Sequence, residues 1–332
     1  MPKLPHPAPP ARRPSRPGAG AFERPRWPPP FFFWTAAGLA AYLAVMRLAT
    51  GENRVEQVVL CGALLVLAAY SDATRRFFKG LLPFLLFGIS YDLTHITEPL
   101  VRYLHVHVEE PYRFDQRFFG IATAKGLLTP NEFFALHHWP LVDFITGTSY
   151  IIYVYWAIGF AAYLALFRRD EPGRVLLARF GWTFLVMNLA GFATYYLYPA
   201  APPWYVADYG LGPAQMSAQA SAAGAVRWDA ITHLHYFAGF YGRSADVFGA
   251  IPSLHVSYPL LTFFYGRELR KRWLDVASFA LFLTVSFAAV YLNHHYMLDV
   301  LLGVLYTLIA YGLESVLFRL RARARAASAP AK

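Results

Sequence analysis

The sequence predicts an all-α fold, a polytopic bundle of about eight transmembrane helices. Of its 332 residues, 57% are hydrophobic and 17% aromatic, and only 15% are charged, whereas soluble domains carry about 25% charged residues. Long apolar runs also recur from Phe31 to Phe318. These observations indicate one membrane domain rather than the two soluble domains that the length alone would allow.

Eight segments are apolar enough to serve as spans, each near the roughly 20 residues that a bilayer requires. They are 31–49, 55–71, 80–97, 144–167, 175–198, 251–266, 273–292 and 296–318. The third is the weakest because it contains Asp92. Residues 31–318 therefore form the predicted transmembrane domain. The Pro/Arg-rich segment 1–30 is predicted to be a disordered tail, and 319–332 a basic tail.

Positive charge orients the bundle, because cytoplasmic loops carry the excess of Lys and Arg. With both tails in the cytoplasm, every inner segment is basic. Together these segments hold 22 of the 30 Lys and Arg residues. The net charge of +10 thus follows topology and predicts no nucleic-acid partner. Two long connections, 98–143 and 199–250, fall on the extracytoplasmic side. The single cysteine, Cys61, excludes an intrachain disulfide.

A His-Asp pair begins the eighth predicted span, in the run Asn293-His294-His295-Tyr296-Met297-Leu298-Asp299. Residues four apart on a helix share one face, so Asp299 is predicted to bond one ring nitrogen of His295. That bond would fix the tautomer and raise the nucleophilicity of the other nitrogen. His294 is expected to point elsewhere. Taken alone, the pair is also compatible with a structural role.

The run Pro252-Ser253-Leu254-His255 opens the sixth predicted span. Pro suits the first helical position, and the free N–H groups of a helix start bind anions. Ser253 would add a hydroxyl donor, and His255, one turn into the helix, could donate a proton to a group bound there. The topology places this motif and the His-Asp pair on the same extracytoplasmic face. Together they predict a His–His–Asp phosphotransfer site.

Further candidates lie in the connection 199–250. The run Pro202-Pro203-Trp204-Tyr205 is interpreted as a non-helical aromatic loop that caps the site, contacts lipid headgroups or anchors the protein at the interface. Arg227 and Arg243 are candidate phosphate ligands, because the guanidinium fork matches phosphate. Either arginine could equally be solvated.

These motifs resemble those of a known group. Pro252 to His255 and His295 to Asp299 are similar to the second and third signatures of the type-2 phosphatidic acid phosphatase superfamily. More closely, residues 198–312 resemble fungal inositol phosphorylceramide synthase. They share the Pro-Pro-Trp-Tyr run, Gly210-Leu211, Arg227-Trp228-Asp229, Phe248-Gly249-Ala250 and His294-His295-Tyr296. Upstream, the run from Pro111 to Gly120 resembles a further signature only loosely.

The resemblance implies a six-helix phosphatase-like core and phosphoryl transfer between lipids without metal or cofactor. By that analogy His295 attacks phosphorus, Asp299 orients it, and His255 protonates the departing alcohol and then activates the acceptor hydroxyl. Transfer through phosphohistidine and direct transfer both stay open. The implied partners are donor and acceptor membrane lipids, and the sequence leaves a homo-oligomer or small accessory subunit open.

The sequence departs from the lipid phosphatases in its charges. It lacks their Lys-x6-Arg-Pro signature, and Ala288 and Ala289 stand where they carry Ser-Arg. A phosphomonoester needs such cations more than a singly charged phosphodiester does. This favours headgroup transfer, with a glycerophospholipid such as phosphatidylinositol as donor and a lipid hydroxyl such as that of ceramide as acceptor. The alternatives are a phosphatase for lipid phosphates or polyprenyl pyrophosphates, and a non-enzymatic metal-handling membrane protein that uses the outer histidines.

Overall fold

The structure, a computed structural model, describes residues 30–242 and 247–327. The predicted disordered tail and Arg243 therefore lie outside the described residues, except for Pro30. Most of the described chain is helical. The helices are α1 (Pro30–Thr50), α2 (Val55–Tyr70), α3 (Asp72–Thr97), α4 (Glu109–Phe119), α5 (Pro130–Leu136), α6 (Pro140–Phe167), α7 (Glu171–Leu197), α8 (Pro203–Tyr209), α9 (Val226–Thr232), α10 (Tyr236–Tyr241), α11 (Leu254–Gly266), α12 (Arg272–Tyr291) and α13 (Met297–Ala327).

Six of these helices are long and apolar enough to cross a bilayer: α1, α3, α6, α7, α12 and α13. The all-α, multi-pass prediction is thereby confirmed. The other two predicted spans form shorter helices, with 16 residues in α2 and 13 in α11. The boundaries differ most from the prediction at the start of α3 and the end of α13. α3 begins at Asp72, and α13 continues to Ala327 through most of the segment predicted as a tail.

Six helices form the core: α3, α6, α7, α11, α12 and α13 pack against one another. Buried aromatic and aliphatic side chains, including Phe180, Phe184, Leu261 and Tyr265, fill the space between them. Close packing of these side chains stabilises the core through many small dispersion contacts. The core therefore matches the six-helix arrangement that the resemblance implied.

Asp92, the polar residue in the third predicted span, ties α1 and α2 to α3. Its Oδ2 accepts hydrogen bonds of 2.5 Å from the Tyr42 hydroxyl and from Gln57 Nε2. Arg54 lies 3.6 Å from Oδ1. A carboxylate at membrane depth is costly unless it is paired. The network thus explains how this position is tolerated and why the first two helices pack where they do.

α11 lies in the centre of the bundle, which explains how so short a helix can be accommodated. At about 1.5 Å per residue its 13 residues extend roughly 20 Å. Close contact with α13 requires Gly303, where an added Cβ would lie 2.2 Å from the carbonyl oxygen of Ser253. The start of α11 is therefore fixed against the first turns of α13.

The described parts of the two long connections form a layer over one end of the core. The first contains α4, an antiparallel hairpin of β1 (Ile121–Thr123) and β2 (Gly126–Leu128), and α5. The second contains α8, α9 and α10. Isolated β-bridges join His107 to Ala200 and Ala200 to Gly249, so the two connections are held together.

The Pro-Pro-Trp-Tyr run is helical, contrary to the prediction of a non-helical loop. α8 begins at Pro203, and Pro202 occupies the cap position with an extended backbone. The reason is that proline is excluded from helix interiors but accepted in the first turn, where its missing N–H leaves no bond unmade.

Candidate active site

His255, His295 and Asp299 meet at the end of the core that the two long connections cover. His295 Nε2 lies 3.0 Å from His255 Nδ1, and His295 Nδ1 lies 3.3 Å from Asp299 Oδ2. Asp299 is fully buried, and His295 is nearly so. The sequence prediction that the two motifs converge is therefore matched by the geometry. His295 thus links the carboxylate of Asp299 to the ring of His255 in a continuous chain of hydrogen bonds.

Backbone groups fix the orientation of His295. Its Nδ1 lies 3.0 Å from the carbonyl oxygen of Ala250, closer than to Asp299. A carbonyl oxygen only accepts, so Nδ1 carries the proton and Nε2 presents a lone pair. Asp299 Oδ2 also accepts from the backbone N–H of Tyr296 at 2.9 Å. This tautomer of His295 is thus held by two acceptors, a backbone carbonyl and a carboxylate.

The chain around His295 is not helical, which changes how the His-Asp pair forms. α13 begins only at Met297, and the backbone N–H groups of His294 and His295 both donate to the Ala289 carbonyl oxygen. Asn293, at φ 66°, turns the chain into this path. The spacing of four still brings His295 to Asp299, but by a tight turn rather than along a helix face.

Asp115, in α4, caps the start of α13. Its two carboxylate oxygens accept from the backbone N–H groups of Met297 at 2.8 Å and Leu298 at 3.1 Å. Desolvation raises the pKa of Asp115 to about 7, and the charge of Asp299 acts in the same direction. Since Asp299 is in the first turn of α13, Asp115 positions the helix that carries it. The loose resemblance around Pro111 to Gly120 was the only sequence signal for this residue.

The Pro-Ser-Leu-His motif starts its helix two residues later than predicted. Ser253 is the cap residue of α11, with an extended ψ of 101°, and its N–H donates to the carbonyl oxygen of Asp299 at 3.0 Å. His255 is consequently the second residue of α11 rather than one turn inside it. The Ser253 hydroxyl makes no cap bond and is buried without a partner in the described structure.

A cavity of about 300 Å³ lies beside the imidazole rings of His255 and His295. His255, His294 and His295 line it together with side chains from α3, α6 and α7 and from the second connection. Most of these are aromatic, and they include Phe87, Tyr91, Tyr153, Phe192, Trp204 and Tyr241. None of the described residues lining it is Lys or Arg. The cavity can therefore accept an apolar chain beside a reactive polar end.

His294 faces this cavity, contrary to the prediction that it points elsewhere. Its ring is stacked between Tyr150, at 5.3 Å, and Tyr241, at 4.7 Å. Burial and then the neighbouring His295 lower the pKa of His294 to about 3, so the ring is neutral. Its Nε2 is buried without a hydrogen-bond partner in the described structure. The helical geometry assumed in the prediction does not hold here, because residues 292–296 form a turn.

The other predicted binding residues divide into two groups. Trp204 lines the cavity, whereas Tyr205 is buried against Phe248 and its hydroxyl accepts from the backbone N–H of Gln215 at 2.7 Å. Arg227 donates from Nε to Asp143 Oδ1 at 2.6 Å and does not line the cavity. Arg243 lies outside the described residues.

One group of side chains has the spacing of metal ligands. The ligand atoms of His105, His107 and Glu110 all lie within 4.8 Å of one another, on the first connection. His105 and His107 are among the outer histidines that the metal-handling alternative invokes, but this group does not contain His255, His294, His295 or Asp299. His255, His295 and Asp299 are instead joined by direct hydrogen bonds.

Comparison with known proteins identifies the class. The sequence profile of the PAP2 superfamily matches residues 126–313. A phosphoinositol dihydroceramide synthase of Bacteroides thetaiotaomicron is 38% identical over 271 residues, which cover 81% of this chain and 87% of that protein. The chain therefore belongs to the PAP2 superfamily, as the resemblance predicted.

Two fungal relatives narrow the class. The inositol phosphorylceramide synthase catalytic subunit of Schizosaccharomyces pombe is 29% identical over 52% of this chain and 40% of its own length. The inositol phosphorylceramide synthase of Candida albicans is 32% identical over 41% of this chain and 28% of its own length. No solved structure matches the chain. The protein is a multi-pass membrane phosphotransferase of the inositol phosphorylceramide synthase type.

Proposed function

We propose that this protein moves phosphoinositol from a glycerophospholipid, such as phosphatidylinositol, to the hydroxyl of a ceramide-type lipid. The observation that carries the proposal is the 3.0 Å contact between His295 Nε2 and His255 Nδ1 at the wall of an aromatic cavity. A paired nucleophile and acid-base group beside an apolar space suits a reaction between two lipids.

In the first half-reaction, His295 Nε2 attacks the phosphorus of the donor. The new N–P bond forms as the P–O bond to diacylglycerol breaks, and His255, as imidazolium, gives its proton to the departing oxygen. The anionic phosphodiester favours that protonated form of His255 by direct charge attraction. His295 Nδ1–H remains bonded to Ala250 and Asp299, which stabilise the charge that develops on the ring.

The contact between the rings has to open before this step. Two nitrogens 3.0 Å apart leave no space for a phosphoryl group between them. His295 is held by hydrogen bonds on its far side, whereas His255 is only packed against Tyr150, at 4.4 Å, and Tyr153, at 4.8 Å. His255 is therefore the ring that moves aside when the donor enters.

The second half-reaction uses the same groups in reverse. His255, now neutral, takes the proton of the acceptor hydroxyl, whose oxygen attacks phosphorus as the N–P bond breaks. The N-terminus of α11 supports the phosphate oxygens in both steps, because its first N–H groups have no side-chain acceptor. The unpartnered Ser253 hydroxyl is available as a further donor.

We also propose that the site faces the extracytoplasmic side. All three groups lie at the end of the bundle away from the basic segments around Arg76, Arg169 and Arg270, and such segments stay in the cytoplasm. The two substrates are membrane lipids, which reach the cavity between α3, α6 and α7.

The test is reconstitution with phosphatidylinositol and a fluorescent ceramide, and separately with phosphatidic acid. We expect an inositol-containing sphingolipid from the wild type and none from His295→Ala or His255→Ala. Phosphate released from phosphatidic acid without any transfer product would contradict the proposal and support the phosphatase alternative. His137→Ala is a matched control, because that exposed histidine lies on the same face but outside the cavity.

A further inference from the structure

A second and larger cavity lies at the opposite end of the bundle from the paired histidines. Its volume is about 680 Å³, and it is enclosed by the start of α3, the end of α6 and the start of α7. The active-site cavity uses the other halves of the same three helices, with Phe87 in α3 and Phe192 in α7. The reaction described above leaves this second cavity without a role.

Basic side chains surround the second cavity. Five of them line it: Arg76, Lys79, Arg168, Arg169 and Arg174. Within the described ion pairs, only Arg168 has a carboxylate partner, Asp170, at 3.2 Å. Arg169 and Arg174 donate to backbone carbonyl oxygens near the end of α6, which leaves their positive charge unbalanced. The cavity therefore carries a surplus of positive charge and no described acidic lining residue.

The inner wall of the cavity is apolar. It is formed by Pro83, Leu164, Leu177 and Trp182, among others. Below the basic rim the helices come together, since a Cβ at Gly80 would lie 2.8 Å from Leu177 Cδ2. An occupant would thus place an anionic group at the rim and an apolar segment against the wall.

We propose that this cavity binds an anionic phospholipid in the leaflet opposite to the active site. Basic pockets between transmembrane helices recognise acidic headgroups in this way. Topology alone requires positive charge in these loops, but it requires neither a cavity nor an apolar wall beneath the charge. A soluble anion would leave that wall without a partner, so the ligand that fits both parts is a lipid.

The lining residue Trp182 provides a local reporter, because bromine on an acyl chain quenches tryptophan fluorescence only at close range. The full-length protein in neutral detergent is titrated with dibrominated phosphatidylglycerol or dibrominated phosphatidylcholine. The signal of Trp182 is the difference between the wild type and Trp182→Phe. We expect saturable quenching by the phosphatidylglycerol at concentrations where the phosphatidylcholine has little effect, and the same result in His295→Ala.

Two charge variants locate the site. Each basic residue near an acidic headgroup contributes roughly fivefold to affinity, so Arg76→Gln/Lys79→Gln/Arg174→Gln is expected to weaken binding at least tenfold. The control Arg267→Gln/Arg270→Gln/Arg272→Gln removes the same charge at the same end of the bundle, from residues outside the cavity. An equal loss in both triple variants would overturn the proposal.

A third variant tests the cavity without changing charge, and it stands even if the triple variant does not fold. Ala178 is an exposed lining residue of α7, so Ala178→Phe fills the space at the protein surface. We expect it to abolish the selective quenching. Unchanged quenching in Ala178→Phe, or equal quenching by both lipids in the wild type, would show that acidic lipids gather at this surface without entering a site.

Discussion

Replacing Asp299 with Asn tests how the reactive tautomer of His295 is maintained. An amide has the shape of the carboxylate but no charge. Its oxygen is expected to occupy the Oδ2 position, because an NH2 group there would face the N–H of Tyr296, which now donates at 2.9 Å. In that orientation the Asn oxygen still accepts from His295 Nδ1. The Ala250 carbonyl oxygen, at 3.0 Å, is unaffected.

The expected loss is therefore that of a charge and not of the tautomer. A hydrogen bond to a charged group contributes about 1.5–3 kcal/mol and a neutral one about 0.5–1.5 kcal/mol, so the loss is about 1–1.5 kcal/mol. Because each 1.36 kcal/mol is tenfold in rate, kcat should fall by about 5- to 13-fold. In serine-protease triads the same substitution also selects the wrong tautomer, and the loss there is about ten-thousandfold. The backbone acceptor is what separates the two cases.

The assay is single-turnover transfer of the phosphoinositol headgroup to a fluorescent ceramide, with His295→Ala as the background. Asp299→Asn should stay measurably above that background at saturating donor. A loss of ten-thousandfold or more, down to the His295→Ala level, would refute the reasoning, because it would mean that the Ala250 carbonyl does not hold the Nδ1 proton.

Three further changes have expected outcomes. His294→Phe keeps an aromatic ring in the stack but removes the free Nε2. If Nε2 makes one neutral hydrogen bond to substrate, kcat/KM should fall by about 3- to 10-fold. Full activity of the variant would exclude such a hydrogen bond. Desolvation raises the pKa of Asp115 from its ordinary 3.8 to about 7, so the folded state binds more protons in that window and stability should fall as pH rises through it; Asp115→Asn should flatten this slope in thermal unfolding curves. Gly303→Ala should cost about 1–3 kcal/mol by overpacking, seen as a lower Tm, whereas Gly312→Ala, on the same helix with no neighbour within 4 Å of an added Cβ, should not.

The sequence was sufficient to predict the parts of the fold that depend on local composition. Apolar runs identified the bundle, and six long helices match predicted spans. The orientation that the distribution of Lys and Arg indicates stays a prediction. The approach of His255 to His295 followed from topology, since both motifs were assigned to one face. Local spacing was also enough for the His295–Asp299 contact, although the chain there is a turn.

Features that depend on distant contacts could not be predicted in this way. Asp115 bonds the N–H groups of residues more than 180 positions away, and no pattern of period 2 or 3.6 encodes that pairing. The role of His294 was mispredicted because a helix was assumed where the chain turns. Arg227 is a candidate phosphate ligand by residue type, and no local pattern indicates that it pairs at 2.6 Å with Asp143, 84 residues earlier.

The charges around the cavity bear on the choice between transfer and hydrolysis. In the proposed first step Asp299 would contribute one negative charge and His255, in its acid form, one positive charge, while Arg227 is paired with Asp143. No Lys or Arg lines the cavity within the described residues. A phosphodiester adds one negative charge to this balance, and a phosphomonoester adds nearly two in a space that water only partly reaches. Since an uncompensated charge is more costly as the surroundings become less polar, we expect the proposed site to bind phosphodiesters in preference to phosphomonoesters. That preference favours a donor whose headgroup stays attached to phosphorus, which is the requirement for headgroup transfer.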